Sequence, residues 1–131
     1  MGSFSDYWEN EILDHIFGKG SYTPPAIYVG LSTADPADDA SGLAEPSGNA
    51  YARVGTAGAD WSTASGGAIA NANDITFPEA TGSWGTITHF ALFDAASVGN
   101  MLAHGALSVS KLIGSGDTAK FAVGDVDVTL D

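Results

Sequence analysis

At 131 residues the chain fits one domain, since a domain of that size buries roughly two thirds of the surface its unfolded form exposes. Sixteen acidic residues against four basic ones give a formal net charge of -12, a field that repels phosphate backbones and argues against nucleic-acid binding. Cysteine is absent, which removes disulfides, thiolate metal sites and cysteine nucleophiles, and 44% hydrophobic residues with no long apolar run describe a folded, soluble chain rather than an acidic tail or a membrane protein.

The opening Met1-Gly-Ser-Phe-Ser-Asp has neither a basic start nor an apolar stretch of signal-peptide length, so synthesis and retention in a cytoplasm until assembly are expected. A helix follows over about residues 5–17. Tyr7, Trp8, Ile12, Leu13, Ile16 and Phe17 recur at spacings of three and four behind a Ser5 N-cap, and Gly18 ends the pattern. Asp6, Glu9 and Glu11 sit in the early turns and Lys19 just past the end, which matches the helix dipole at both ends. A helix of about a dozen residues is marginal alone in water, so this stripe must dock on the same subunit or a neighbour.

From about residue 24 to residue 131 the chain punctuates as β-structure, with short apolar or alternating runs between turn residues. Strands are expected at 26–33, 50–54, 74–77, 86–93, 100–109 and 126–130, with shorter ones at 67–70 and 118–122. Alternation in 86–93 sets Ile87, His89, Ala91 and Phe93 on one face and Thr86, Thr88, Phe90 and Leu92 on the other. The pattern is mainly β: a single β-sandwich or jelly-roll-like domain with one N-terminal helix packed outside it or across one end.

Residues 34–49 form one long irregular stretch carrying Asp35, Asp38, Asp39 and Glu45. Loops of this length are functional or mobile, and in an assembling protein the natural use is a reach to a neighbour. The acidic triplet lacks the spacing of a calcium loop, and no cofactor or metal site is expected. Asp38–Asp39 and Asp125-x-Asp127 read as solvated carboxylates rather than a glycosidase pair. His89 reads as a satisfied core histidine, His15 and His104 as surface or interface residues, and no nucleophile elbow or zinc-binding motif is present, so no catalytic residue is assigned. Among the tryptophans, Trp8 belongs to the helix stripe, Trp84 to the core or an interface, and Trp61, in a Gly/Ser/Thr/Ala-rich loop, is either a loop anchor or a ring on which a sugar stacks.

Three segments carry a wider likeness: Ser5-Asp-Tyr-Trp-Glu-Asn-Glu-Ile-Leu-Asp-His-Ile-Phe-Gly18, Tyr22 to Pro36, and Asp74 to Asp94 with its Pro- and Gly-punctuated turn around Trp84. Through them the chain resembles a family of small tailed-bacteriophage virion structural proteins, tail-fibre-like or capsid-decorating. The resemblance implies a nonenzymatic particle component made in the host cytoplasm, partnered by the major capsid protein or other virion proteins and by copies of itself, as trimers, with no nucleic acid and no membrane bound. Small size, acidity and the lack of a long repetitive or coiled region tilt the expectation toward a cement protein on the capsid exterior; the alternative is a tail-tip or tail-fibre component binding host-surface glycan. The interface candidates are Tyr7, Trp8, Ile12, Ile16, Asp35, Asp38, Asp39, Trp61 and Trp84.

Overall fold

The computed structural model describes residues 2–130. Its elements in chain order are β1 (Gly2–Phe4), α1 (Asp6–Ile16), β2 (Ile27–Ser32), β3 (Val54–Thr56), β4 (Ala68–Ala70), β5 (Ile75–Thr76), β6 (Gly85–Phe93), β7 (Met101–Ile113), β8 (Lys120–Phe121) and β9 (Asp127–Thr129). Seven strands make one curled sheet in the order β3-β2-β6-β7-β1-β9-β4, and β5 pairs with β8 in a second sheet of two. The result is mainly β and sandwich-like with one N-terminal helix, as the sequence predicts.

The helix forms where its caps place it. The Ser5 side chain accepts the Trp8 backbone N–H, and its hydroxyl donates to the Met101 carbonyl, so the cap also ties the helix to β7. Gly18, at φ +74°, turns the chain out of the helix while the Lys19 N–H returns to the Asp14 carbonyl at 2.7 Å. No helical residue is fully buried, however, and Leu13, Ile16 and Phe17 are 53%, 68% and 74% exposed. Of the two expected docking partners for the stripe, its own subunit takes only the Trp8 half, which packs on the core, while the last turn is left exposed.

β1 is an element the sequence reading did not anticipate. Gly2, Ser3 and Phe4 pair antiparallel with Gly105, His104 and Ala103, and Gly2 and Ser3 pair in parallel with Val128 and Thr129. Three residues are too short to show a period of two, and both partners lie far along the chain. Gly2 fits because a Cβ there would meet the His104 carbonyl oxygen at 2.7 Å.

The strand expected at 50–54 is displaced to Val54–Thr56 because Asn49 and Ala50 take left-handed φ values of 52° and 66°, which makes a turn there. The strand expected at 100–109 runs on to Ile113. The face assignment of 86–93 is corrected at its start, before a register shift. Ile87 packs with Phe90 and Leu92 rather than with His89, since the β6–β7 register shifts between Ile87 and His89.

The main core lies on that face. Val29, Leu31, Ile87, Phe90, Leu92, Leu102, Val126 and Val128 are buried there, and aromatic rings link it to the small sheet. Phe90 meets Phe121 of β8 at 6.3 Å, Phe121 meets Phe77 at 6.1 Å, and Trp84 completes the path edge-on to Tyr51 at 5.2 Å. On the opposite face a smaller cluster of Ala91, Phe93 and Met101 is covered by Leu43 and Ala40 of the 34–49 segment.

Candidate interaction surfaces

The acidic 34–49 segment folds back as a strap over its own sheet. The Ser32 hydroxyl donates to the Ala34 carbonyl and accepts the N–H of Ala34 and Ala44, and Pro36 is buried. Arg53 locks the far end: its Nε and Nη2 each reach a Glu45 carboxylate oxygen at 2.8 Å, while Nη1 donates to the carbonyls of Ala95 and Val98. The guanidinium also lies 3.5 Å over the Phe93 ring. Tyr51 adds its hydroxyl to Glu45 at 2.6 Å and accepts the Leu31 N–H at 3.0 Å. Burial, and then that hydrogen bond to Glu45, push the Tyr51 phenol far above its usual value. Gly30 leaves room for this network, since a Cβ there would meet Phe93 at 2.8 Å and both Glu45 and Tyr51 at 3.0 Å.

The strap's aspartates are exposed, and each reaches a partner on the sheet or on the loop itself. Asp35 Oδ1 lies 3.3 Å from His89 Nε2, Asp38 Oδ1 lies 2.8 Å from His104 Nε2, and Asp39 Oδ1 accepts the Ser41 N–H at 2.9 Å. The hydrogen bonds to Ser41 hold the Asp39 carboxyl below its ordinary pKa. His89 and His104 both sit on the strap side of the sheet, opposite Ala106 and Ala91 respectively, so two expected core or surface histidines are fasteners for the acidic loop. Sequence reading missed these pairs because nothing in a linear spacing links Asp38 to a histidine 66 residues on. His15 accepts the Tyr22 N–H at Nδ1 and fixes the turn after the helix.

Trp84 leaves the candidate interface. It is 5% exposed, its indole N–H donates to the Asn49 carbonyl at 2.9 Å, and its own subunit encloses the ring. Trp61 is half-buried, with its indole N–H on Thr56 Oγ1 at 2.9 Å, which makes it an anchor as well as a surface group. It joins Trp8 and Ile12 in an open groove of about 560 Å³ between the helix and the β4–β9 edge, lined also by Ile69, Val128 and Leu130. Almost everything lining this groove is apolar, so it offers few hydrogen-bond partners for sugar hydroxyls and suits apolar side chains. Ile16 continues the Trp8–Ile12 line one turn further into solvent. Tyr7, half-buried in the first turn of the helix, has its phenol pushed up by burial and then by the Glu11 carboxylate.

The site residues thus divide. Trp8, Ile12 and Trp61 come together at the groove, with Ile16 beyond it; Asp35, Asp38 and Asp39 belong to the strap on another face. Neither this groove nor the cleft between β7 and β8 is lined by a histidine, so the two histidine–aspartate pairs stand outside both concavities. Among the described residues no group of three or more His, Asp or Glu is placed to hold a metal ion.

No curated protein matches the chain. A family model does: residues 3–129 match the family described as Podophage GP4 fiber I protein gp80. The chain therefore belongs to this family, a phage fibre family within the tailed-phage virion structural proteins.

Proposed function

We propose that this protein is a nonenzymatic structural subunit of the phage fibre, seated on another virion protein through the apolar face formed by the helix and the Trp8–Trp61 groove. The single observation that carries the reading is the exposed last turn of α1, where Leu13, Ile16 and Phe17 stand 53–74% exposed beside an apolar groove. Contiguous apolar surface of this kind on a water-soluble domain marks an interaction site. The fibre is preferred to the capsid exterior because the family description names a fibre, whereas acidity and small size suit either place. The nonenzymatic reading rests on the same family.

The test is a double substitution, Ile16→Asp with Phe17→Asp, in the phage. Both side chains are largely exposed, and two carboxylates at the helix C-terminus cost only ~0.3–1 kcal/mol each against its dipole, so the isolated subunit should stay folded. Particles should then carry little or none of the subunit, measured by quantitative mass spectrometry of purified virions. Normal incorporation of the folded variant refutes this seating.

A further inference from the structure

β7 is a long strand with one flank only partly covered. β1 lies on that flank opposite Ala103, His104 and Gly105, and among the described residues no strand continues along residues 106–113. The ladder on the other flank is interrupted as well: cross-strand partners stop at Ala106, opposite His89, and resume at Lys111, opposite Ile87, so four residues face the single Thr88. Ser108, Val109 and Ser110 are exposed, as is Leu112 at 70%. Native edges are ordinarily blunted by charge, proline or cover, and this stretch holds one charge, Lys111.

Beside the open edge lies a cleft of about 870 Å³. Its floor is the buried Leu31, Ile87, Ile113 and Phe121, and its rim carries the exposed acids Asp117 and Asp125 with Lys111 and Lys120. β1 demonstrates how a strand lies on this edge: antiparallel to β7, with Phe4 packed against the main core.

We infer that the free edge of β7 accepts an extended segment of another virion protein, added as a strand in line with β1, with alternate apolar side chains over the cleft and basic residues at the rim aspartates. Strand addition joins main-chain hydrogen bonds on the edge to pockets for every second side chain, and both parts are present here. The charge decides the kind of partner. A second copy brings -12 against -12 and has only four basic residues, of which Arg53 is held by Glu45, whereas a neutral or basic segment is attracted by the same field. No residue of the helix-side groove lines this cleft, so the two surfaces stand or fall separately.

The probe is a synthetic peptide of about ten residues, alternating valine and threonine with a lysine at each end, titrated into the full chain with fluorescence anisotropy and amide hydrogen exchange as readouts. Saturable binding that slows exchange across residues 107–112 and weakens with salt is the expected result. Ser108→Pro, which removes an edge N–H, should weaken binding at least ~10-fold, and Val109→Glu should do the same by setting an unpaired charge under the apolar part of the added strand and losing an apolar contact, with folding of each verified by circular dichroism. The Ile16→Asp, Phe17→Asp variant should bind the peptide as the parent chain does. Absence of saturable binding, binding without protection of 107–112, or binding indifferent to both edge substitutions overturns the inference. Sedimentation equilibrium showing dimers of the chain alone that Val109→Glu dissolves overturns it too, by giving the edge to a second copy.

Discussion

Replacing Arg53 with alanine should be among the most damaging single changes outside the hydrophobic core. The side chain is 6% exposed and makes two charge-assisted hydrogen bonds to Glu45, two more to the carbonyls of Ala95 and Val98, and a cation–π contact with Phe93. Removing one partner of a buried pair leaves the other charge uncompensated, a loss of ~3–5 kcal/mol, which is a large share of the ~5–15 kcal/mol that holds a domain together. At roughly 3–4 °C per kcal/mol for a chain of this size, Tm should fall by about 9–20 °C. Urea unfolding followed by tryptophan fluorescence measures it directly, with an unchanged slope if the variant still unfolds in two states. A double-mutant cycle with Glu45→Ala should return a coupling of ~1.5–3 kcal/mol, the scale of charge-assisted hydrogen bonds. A cost below ~1 kcal/mol for Arg53→Ala, or a coupling near zero, would refute the reading of this network as the lock of the strap.

Other perturbations separate the remaining contributions. Trp84→Ala empties a position packed by Tyr51 and Phe77 and should cost ~3–5 kcal/mol in the same urea assay, a core effect rather than an interface effect. Tyr51 has its phenol pKa raised in the folded state, so its contribution is fully present below its unfolded pKa near 10 and is lost as pH rises toward the folded value; alkaline unfolding should begin above about pH 10 and be blunted in Tyr51→Phe. Asp60 accepts the Ala57 N–H and then a hydrogen bond from Asn73, and both lower its pKa. Its contribution is present above the unfolded value and lost as pH falls through the folded one, and NMR titration of Asn73→Ala should move the midpoint back up. Gly30→Ala forces a Cβ onto Phe93, Glu45 and Tyr51 and should destabilise by about 1–3 kcal/mol, whereas Gly58→Ala, with open space around it, should be nearly neutral.

Much of the fold is legible in the chain because its signals are local. Ser5, the three- and four-residue spacing from Tyr7 to Phe17 and Gly18 specify one helix within a residue of its observed ends, since capping and periodicity act over a single turn. The period-two runs mark β2, β6, β7 and β9 in the same way, and the small strands at β4, β5 and β8 fall inside the expected segments. The candidate site was less legible. Trp8, Ile12 and Trp61 are far apart in sequence and meet only because the helix lies beside the β4–β9 edge. Trp84, flanked by glycines, reads as a core or interface ring, and what places it in the core is packing by Tyr51 and Phe77, which no local pattern reports.

The sequence by itself therefore determined the class of fold, the single helix, the absence of thiol chemistry and the acidic field, all of which depend on composition or on residues within one turn or one strand of each other. Tertiary structure alone decided that three N-terminal residues complete the sheet, that Ile87 changes face, that the acidic loop is a strap pinned by His89, His104 and Arg53, and that the last turn of the helix stays exposed. The physical reason is common to all four. Each depends on which distant surfaces meet, and burial, register and ion pairing take their values only once those surfaces are in contact.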